Sequence, residues 1–443
     1  MKEKTYTAIG GVDMDLKDDE LLELFSSALS NALVDINNAG QAIILPPDIT
    51  RFHSRAGFFT DIAAQQLDGR LGAVLPALGT HMPMTDSELA RMFPKTSSGK
   101  FLVHDWRNDV SELGRLETGW VEKVTDSAVN YDWPVQVNKL LDNNHPQSGH
   151  FSLAISIGQV VPHEVAGMAN HGKNIFVGTG GKEAIDKSHF AGAAYGMGKI
   201  MGRADTPVRA LFDEGLRRFG SKMPPVLWVL TVVGASKARG SLAVRGLFIG
   251  FGRECFEKAA ALAAQVNVDI MNEPVHKAVV YLEPDEFRTT WLGNKSIHRT
   301  RMVIADGGEL IVLAPGLERF GEDIEVDKLI RKYGYRPSAE ITAKTKTDAA
   351  LGENLSTAAH LIHGSSEGRF TVRYHPGVKV SKEEIESVGF QWGDLNEAMQ
   401  RYDINKLTSG WNTMPDGEKI FFVPNPALGL WAEKKRFMGE NHG

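Results

Sequence analysis

Residues 158–190 contain several side chains that could take part in catalysis or bind a metal. Within this stretch His163, His171 and His189 supply imidazoles and Lys173 supplies an amine, among many glycines. The stretch follows an apolar run that reads as a buried strand. A glycine-rich turn after a strand lets backbone N–H groups approach an anion, because glycine has no Cβ in the way. Beside such a turn, imidazoles and an amine can serve as metal ligands, acid–base groups or a covalent anchor. A surface loop with scattered polar residues is the alternative interpretation.

Residues 167–174, GMANHGKN, fit the phosphate-loop pattern G-x-x-x-x-G-K up to the lysine. Asn174 then stands where a Ser or Thr hydroxyl would bind magnesium. No apolar strand ending in a magnesium-binding aspartate follows at the usual distance. A nucleotide hydrolase that uses Lys173 is therefore the less favoured alternative.

Two earlier segments each run from a short strand into a polar loop. The strand predicted at residues 42–45 leads to Asp48, Thr50 and Arg51, and a second strand leads to His81. In an open α/β sheet, ligands bind where the carboxyl ends of parallel strands meet. If the two strands are parallel, Arg51 and His81 share one edge of the sheet. A plain turn after Pro-Pro-Asp is the alternative for the first loop.

Alternating strands and helices indicate an α/β fold with a mostly parallel sheet. In the first part of the chain, helices are predicted at residues 19–37, 207–219 and 251–266, and strands at 42–45, 73–78, 101–104, 151–157, 226–234 and 247–249. In the second part, helices are predicted at residues 296–305, 326–333, 381–388 and 395–402, and strands at 277–282, 310–314, 370–374 and 419–423.

These elements predict two α/β domains with the active site in the cleft between them. The larger N-terminal domain takes residues 1–275 and is completed by residues 415–443, with 419–423 as its closing strand. The smaller domain takes residues 276–414.

The composition excludes several classes of function. A chain of 443 residues with 42% apolar and 23% charged residues is typical of a globular protein of two or three domains. Its net charge of -6 and the absence of basic blocks argue against a nucleic-acid or membrane-surface partner. The first residues lack the apolar core of a secretion signal, so we expect a cytoplasmic protein. Cys255 is the only cysteine, which excludes an internal disulfide and a thiolate metal cluster.

Four motifs, taken in order, resemble the nickel-dependent lactate racemase family. PPDITRF at residues 46–52 is similar to the family's S-D-x-T-R-P, and ALGTHMPMTDSE at 77–88 is similar to A-T-G-x-H-R-P-x-T-x-x-E. PHEVAGMANHGK at 162–173 is similar to its histidine, F-A-G and G-G-x-K motif. His189 follows Lys173 at the interval expected in the family. Each motif alone is weak, but their order and intervals make a strong match from the first helix to about residue 315.

The resemblance implies a nickel pincer nucleotide, a pyridinium-3,5-bisthiocarboxylate mononucleotide that holds nickel through one carbon and two sulfur atoms. Lys173 matches the lysine that tethers it as a thioamide, and His189 matches the protein ligand of the nickel. Asp48, Thr50 and Gly172 match cofactor-binding positions. Imidazole is a suitable nickel ligand. Maturation enzymes that synthesise the cofactor are the implied partners.

The resemblance further implies a racemase or C2 epimerase of a small-molecule 2-hydroxy acid. The α-proton of a 2-hydroxy carboxylate is very weakly acidic, so hydride transfer through a 2-keto acid is the easier route. Two imidazoles, one for each enantiomer, must exchange the hydroxyl proton near neutral pH. His81 and His163 match the family's catalytic pair. Arg51 matches the residue that clamps the carboxylate, and Lys295 matches a substrate-contacting lysine.

The match is poorer at the positions that contact substrate. Leu292 stands where the lactate enzyme has a glutamine, and its pocket tryptophan has no counterpart, with Leu355 the nearest by position. We therefore expect a larger or sugar-derived acid and not lactate. Candidates for contacts with extra hydroxyls or a second carboxylate are His53, Arg55, His298, Arg299 and Arg301; a solvated helix face is the alternative. A non-catalytic homologue that only binds the cofactor is a further alternative, and a homo-oligomer is compatible with the sequence.

Overall fold

The chain folds into two compact units in a computed structural model that describes residues 3–37, 40–236 and 241–439. The first unit comprises Met1–Ala191 and Met201–Asn267, and the second comprises Gly192–Ile200 and Val268–Gly443. The second unit therefore begins at Val268 and not after residue 275. Among the described residues, no helix combines the length and apolar character needed to cross a membrane.

The first unit consists of a central sheet, its covering helices and a separate hairpin. Its strands are β1 (Lys4–Gly10), β2 (Ala42–Leu45), β3 (Leu71–Val74), β4 (Val110–Leu116), β5 (Trp133–Asn138), β6 (Leu153–Gln159), β7 (Pro162–His163), β8 (Gly167–Met168), β9 (Val226–Ala235) and β10 (Leu242–Phe251). Its helices are α1 (Asp18–Asp35), α2 (Ala56–Leu67), α3 (Asp86–Met92), α4 (Thr118–Val124), α5 (Lys182–Tyr195), α6 (Pro207–Phe219) and α7 (Glu254–Asn267). The last residues of α5 lie in the second unit.

The main sheet of the first unit is mostly parallel, as the sequence predicts. Its strand order is β1-β10-β9-β6-β2-β3. The run β9-β6-β2-β3 is parallel throughout, and only β10 opposes its neighbours. The carboxyl ends of β2, β3, β6 and β9 therefore meet at one edge, where an open α/β sheet collects ligands.

The apolar stripe of α1 covers one face of this sheet. Leu21, Phe25 and Leu29 recur at three- and four-residue intervals and are fully buried. Phe25 meets Phe59 of α2 edge to face, with ring centroids 5.2 Å apart. Burial of each such side chain contributes about 1.5–3 kcal/mol, so this layer stabilises the core of the first unit.

Two predicted strands of the first unit are wrong in extent. The strand predicted at residues 73–78 is β3, which ends at Val74; Leu75 still donates to the carbonyl of Ile44, but Pro76 has no N–H with which to continue the pairing. Residues 101–104 form no full strand; Phe101 makes a single bridge to Val74.

The second unit contains a second sheet with helices around it. Its strands are β11 (Val268–Met271), β12 (Val275–Tyr281), β13 (Ile304–Ala314), β14 (Thr371–Pro376), β15 (Gln391–Trp392), β16 (Gly410–Thr413), β17 (Lys419–Val423) and β18 (Leu430–Glu433). Its helices are α8 (Thr290–Gly293), α9 (Lys295–Thr300), α10 (Ile324–Tyr333), α11 (Ser338–Thr347), α12 (Ala349–Gly352), α13 (Leu355–His363), α14 (Lys382–Ser387), α15 (Leu395–Arg401) and α16 (Lys434–Gly439), besides a single turn at Met197–Ile200.

The sheet of the second unit, in the order β15-β14-β13-β12-β17-β16, corrects two sequence predictions. β17 pairs in parallel with β12, so its predicted place as the closing strand of the first domain is wrong. Its apolar side chains Ile420 and Phe422 pack in the core of the second unit. The helix predicted at residues 296–305 ends at Thr300, because the β-branched Val303 and Ile304 continue into β13.

Candidate active site

Three segments meet beyond the carboxyl ends of β2, β3 and β6. The backbone N–H of Ala77 donates to the carbonyl of Pro46 at 2.7 Å, which joins the loops after β3 and β2. The N–H of Gly79 donates to the carbonyl of Gly178 at 2.9 Å, which joins the loop after β3 to the stretch from 158 to 190. Gly79 has a φ of +57°, a conformation that other residues adopt only with strain. One surface of the first unit therefore carries all three segments.

Asn174 secures this junction through its side-chain amide. Its Nδ2 donates to the carbonyl of Leu45 at 3.1 Å and to the hydroxyl of Ser156 at 2.8 Å. It thus ties the turn after Lys173 to β2 and β6. The residue that departs from the phosphate-loop pattern has a structural task here, and it offers no hydroxyl for magnesium. This geometry does not favour the nucleotide hydrolase.

Asp48 holds His81 in a fixed orientation. Asp48 caps the short 3₁₀ helix Ile49–Ser54, where its Oδ1 accepts from the N–H of Thr50 at 3.1 Å and from the Thr50 hydroxyl. Its Oδ2 lies 2.6 Å from Nδ1 of His81. Burial alone would raise the pKa of Asp48, but His81, the bonds from Thr50 and the charge of Arg51 lower it to about 2. Since an ionised carboxylate only accepts, His81 donates through Nδ1, and Nε2 of the neutral ring is left as a base.

Arg51 presents a guanidinium beside this pair. It departs from helical geometry inside Ile49–Ser54, with φ of -113°. Its Nη1 is buried and has no hydrogen-bond partner among the described residues. Buried polar groups in proteins nearly always find a partner. An incoming carboxylate is therefore a well-matched acceptor for Arg51.

The hydrogen bonds of His163 favour the tautomer opposite to that of His81. It ends β7, which pairs with β8 in a tight antiparallel turn, and its side chain is buried. Its Nδ1 accepts from the backbone N–H of Val165 at 3.1 Å. In the neutral ring Nε2 therefore carries the proton. Nε2 of His163 is thus a hydrogen-bond donor, whereas Nε2 of His81 is a hydrogen-bond acceptor.

Lys173 and His189 lie close enough to interact electrostatically. Lys173 directly precedes the π-helical turn Asn174–Gly178, and His189 lies in α5. Burial of the His189 ring and the positive charge of Lys173 lower its pKa to about 4, against the opposing effect of the Ile185 carbonyl. His189 Nδ1 lies 2.8 Å from that carbonyl and donates to it. The ring is therefore neutral near pH 7, with the Nε2 lone pair in the form that binds a metal.

Gly172 and Arg209 fix the loop that carries Lys173. A Cβ on Gly172 would lie 2.9 Å from the Cβ of Phe212, so a glycine lets the loop pack against α6. Arg209 of the same helix is fully buried and donates to the carbonyls of Met168 and Asn170. The sequence interpretation missed Arg209. The sequence pattern that could have identified Arg209 as buried is its place on the same helix face as Val208 and Phe212.

Further candidates in the first unit have partners within the protein. His53 Nε2 lies 3.0 Å from Oε1 of Gln159, and Arg55 pairs with Asp18. Cys255 is buried, and burial raises the pKa of its thiol to about 12, which argues against a nucleophilic role.

Lys295 lies in the second unit, at the start of α9. It is buried, and its ammonium lies 5.6 Å from the centre of the Phe287 ring. His298 and Arg299 on the same helix are also buried, so the solvated-face alternative does not apply to them. The His298 ring lies within 6.4 Å of those of His360 and His363, measured between centroids. Leu355 begins the helix that carries the latter two histidines.

Metal-binding clusters of the usual kind do not occur in residues 3–37, 40–236 and 241–439: no three His, Cys, Asp or Glu side chains are grouped to hold an ion. The nickel site implied by the resemblance takes one protein imidazole, so it would not form such a cluster.

Comparisons with known proteins agree with the motifs. Residues 20–198 match the family described as the lactate racemase N-terminal domain. A search of curated proteins finds no match to the chain. A crystal structure of a protein from Thermotoga maritima is similar, with a TM-score of 0.78 and 23% identity over 96% of this chain and 100% of that one. The lactate racemase apoprotein from Thermoanaerobacterium thermosaccharolyticum has a TM-score of 0.65 and 16% identity over 97% of this chain and 100% of that one. The resemblance seen in the motifs is thereby confirmed over residues 20–198, which match the lactate racemase N-terminal domain.

Proposed function

We propose that this chain is a racemase or C2 epimerase of a 2-hydroxy acid other than lactate, working with a nickel pincer nucleotide. The proposal rests on two imidazoles that carry the ring proton on opposite nitrogen atoms. His81 donates to Asp48 and keeps a basic Nε2, while His163 accepts from backbone N–H and keeps a protonated Nε2. Racemisation of an alcohol through its ketone needs one proton acceptor and one proton donor. The lactate racemase domain supports the isomerase class.

The residues present fit the proposed cofactor. His189 is neutral near pH 7 with a free Nε2 lone pair, which suits nickel, and Lys173 lies near enough to influence its pKa. Lys173 would form the thioamide tether and His189 would be the protein ligand. When bound, the cofactor supplies the acceptor for the C2 hydride. Dedicated maturation enzymes would supply it.

Asp48, Thr50 and Gly172 would contribute to the cofactor site by holding neighbouring groups in place. The polar atoms of Asp48 and Thr50 already bond to each other and to His81. We propose that they shape the wall of the site and hold the base in place. Gly172, packed on Phe212, allows the lysine loop its close approach to α6.

In the proposed reaction the carboxylate of the substrate is bound by Arg51. His81 Nε2 would accept the hydroxyl proton as the alcohol is oxidised to the 2-keto acid. After the keto acid has reoriented, His163, protonated on both ring nitrogens by uptake of a proton from solvent, would give its Nε2 proton to the oxygen as the ketone is reduced on the opposite face. His81 would then release its proton to solvent, so both histidines end uncharged and the substrate changes only in configuration. In the reverse direction His163 would accept the hydroxyl proton in the tautomer that carries its proton on Nδ1, and His81 would return one.

The residues proposed to select the substrate belong to the second unit. Lys295 is proposed as a further substrate contact, by its match to the family. Leu292 precedes it where the lactate enzyme has a glutamine, and an apolar side chain cannot bond a hydroxyl there. We therefore propose a 2-hydroxy acid other than lactate.

The test is a racemisation assay on protein produced with the maturation enzymes. Single enantiomers of lactate and of larger 2-hydroxy acids, including aldonic acids, are incubated in deuterium oxide and separated by chiral chromatography. We expect inversion at C2 of an acid other than lactate, without solvent deuterium at C2, because the hydride is returned directly. Deuterium at C2 would contradict the hydride route. ATP hydrolysis with magnesium and no inversion of any acid would contradict the function.

A further inference from the structure

A pocket of about 850 Å³ lies in the first unit beside the loop that carries Lys173. Its lining includes His171 of that loop, Asp213 of α6, Trp228 of β9 and Arg253. The volume falls in the range of about 300–1,000 Å³ that is usual for small-molecule sites. None of the residues proposed above for the reaction lines it.

Two residues that line this pocket, His171 and Asp213, each contain a buried hydrogen-bond acceptor without a partner among the described residues. The His171 side chain is only 3% exposed, and its Nε2 lies 3.3 Å from the carbonyl of Gly252, to which it donates. Burial and the positive charge of Arg209 lower the pKa of His171 well below its ordinary value, so Nδ1 bears a lone pair. This Nδ1 lies 3.9 Å from Oδ1 of Asp213. Both atoms are buried and lack a hydrogen-bond partner among the described residues.

The two acceptors are complementary to a single donor. One nitrogen or oxygen about 2.9 Å from each atom could donate to both with nearly straight bonds. Leaving such buried acceptors unpaired is unfavourable, so an occupant that donates to both is favoured. The pocket is far larger than the roughly 30 Å³ that one water molecule occupies.

The charges around Asp213 favour a donor with positive charge. Its Oδ2 pairs with Arg253, which also pairs with Asp205 and Glu257. Oδ1 of Asp213 remains a carboxylate oxygen without a hydrogen-bond partner among the described residues, and a positively charged donor is the strongest match for it. The nitrogen-bearing group that matches this charge and donates more than one hydrogen bond is a primary ammonium.

Part of the pocket wall is apolar. The Trp228 ring lies against the His171 ring at an interplanar angle of 36°, with centroids 4.1 Å apart, and Met223, Pro224 and Phe251 line the same space. A ligand with an ammonium group on a small hydrocarbon body would satisfy the acceptors and cover this wall.

We propose that this pocket binds a small organic ammonium compound, whose N–H groups bond to Nδ1 of His171 and Oδ1 of Asp213. The ligand would contact a loop with unusual backbone geometry, since Asn170 and His171 have φ of +68° and +56°. Lys173 lies two residues further along. A ligand seated there contacts the same loop as the proposed tether, and the proposal does not depend on the nickel chemistry.

The test titrates the purified full chain with 3-methylbutylammonium at neutral pH, by calorimetry and tryptophan fluorescence. Two probes of the same shape are matched controls, the neutral 3-methylbutan-1-ol and the anionic 4-methylpentanoate. We expect saturable binding of the ammonium compound, about tenfold or more weaker binding of the alcohol and none of the acid. His171→Phe keeps the ring stack but removes Nδ1, and Asp213→Asn removes the charge. Both should weaken binding of the ammonium compound about tenfold or more.

Asp205→Asn is the control variant, because Asp205 also pairs with Arg253 but does not line the pocket. It should bind as the unmodified chain does. If Asp213→Asn fails to fold, as judged by circular dichroism, His171→Phe alone decides. Equal affinity for alcohol and ammonium, unchanged binding in His171→Phe, or no binding with only a bridging water in a soaked crystal would each overturn the proposal.

Discussion

At the scale of residues, the site depends on a buried carboxylate that orients an imidazole. Asp48 is 4% exposed, while the His81 side chain keeps 29% of its surface exposed. The carboxylate is thus shielded and the base can reach a ligand. The bond between them should matter both for folding and for the tautomer of His81.

Asp48→Asn is expected to reduce stability in a pH-dependent way. The pKa of Asp48 is lowered from its ordinary 3.8 to about 2, which corresponds to roughly 2 kcal/mol of stabilisation. For a lowered pKa this contribution is complete above pH 3.8 and is lost as the pH falls through 2. Urea unfolding should therefore show the difference between variant and unmodified chain at pH 7 and a smaller one below pH 3. An equal difference at both pH values would contradict a stabilising bond between ionised Asp48 and His81.

His81→Ala is expected to abolish turnover while leaving nickel bound. Removal of a general base lowers the rate by roughly 100- to 10,000-fold, and His81 is not proposed as a ligand of the metal. Chiral chromatography gives the rate and elemental analysis gives the nickel content. His276→Ala, at an exposed histidine of the second unit, is the control and should leave both unchanged. Full turnover in His81→Ala would remove its proposed role.

At the scale of elements, one amide side chain joins the lysine turn to the sheet. Asn174 bonds to β2 through Leu45 and to β6 through Ser156. Arg209 supports the same stretch from α6. The turn is therefore built into the first unit from two sides, which suits a lysine that must hold a covalent cofactor in one place.

Asn174→Ser would complete the phosphate-loop pattern, yet we expect no gain of ATP binding. The shorter side chain cannot reach both acceptors, so the variant should lose about 1–3 kcal/mol of stability. Urea unfolding and ATP titration with magnesium measure the two effects. Asn405→Ser, at an exposed asparagine of the second unit, should behave as the unmodified chain. Magnesium-dependent ATP binding by Asn174→Ser would instead support the nucleotide hydrolase.

Elements with strong local signals were predictable from the sequence, and those decided by distant contacts were not. The strand Ala42–Leu45 and the helix that begins at Pro207 appear where the sequence predicts them. Thr85 and Glu88 form a capping box at the start of α3, which is the kind of local signal that a sequence pattern can show. β17 was recognised as a strand, but its pairing with β12 depends on the whole fold and not on local pattern.

The candidate site was predictable to a similar degree. The shared sheet edge of Arg51 and His81 follows from the parallel pairing of β2 and β3. The acceptor state of Nδ1 in His163 depends on a backbone contact two residues away, which no motif states. The hydrogen bonds of Asn174 and Arg209 likewise became apparent only in the folded structure.

At the scale of the whole molecule, each unit has a core of its own. The core of the first unit includes Ile155 of β6, and that of the second includes Phe422 of β17. Both side chains are buried. A cavity made in one core should therefore weaken the strands of that unit first.

Phe422→Ala is expected to cost about 3–5 kcal/mol and to act on the second unit. Hydrogen exchange followed by mass spectrometry should show faster exchange in β12 and β13, with β6 unchanged. Ile155→Ala is the matched variant and should show the reverse. Faster exchange of β6 in Phe422→Ala would instead place the strand with the first unit.

The central claim is that Lys173 and His189 hold a nickel nucleotide that drives racemisation. Its most direct test is intact-mass analysis with nickel quantitation on protein produced with the maturation enzymes. We expect a nucleotide-sized adduct that maps to Lys173, with nickel in equimolar amount, and no adduct in Lys173→Arg. An unmodified mass without nickel, under conditions that load a control racemase, would contradict the claim.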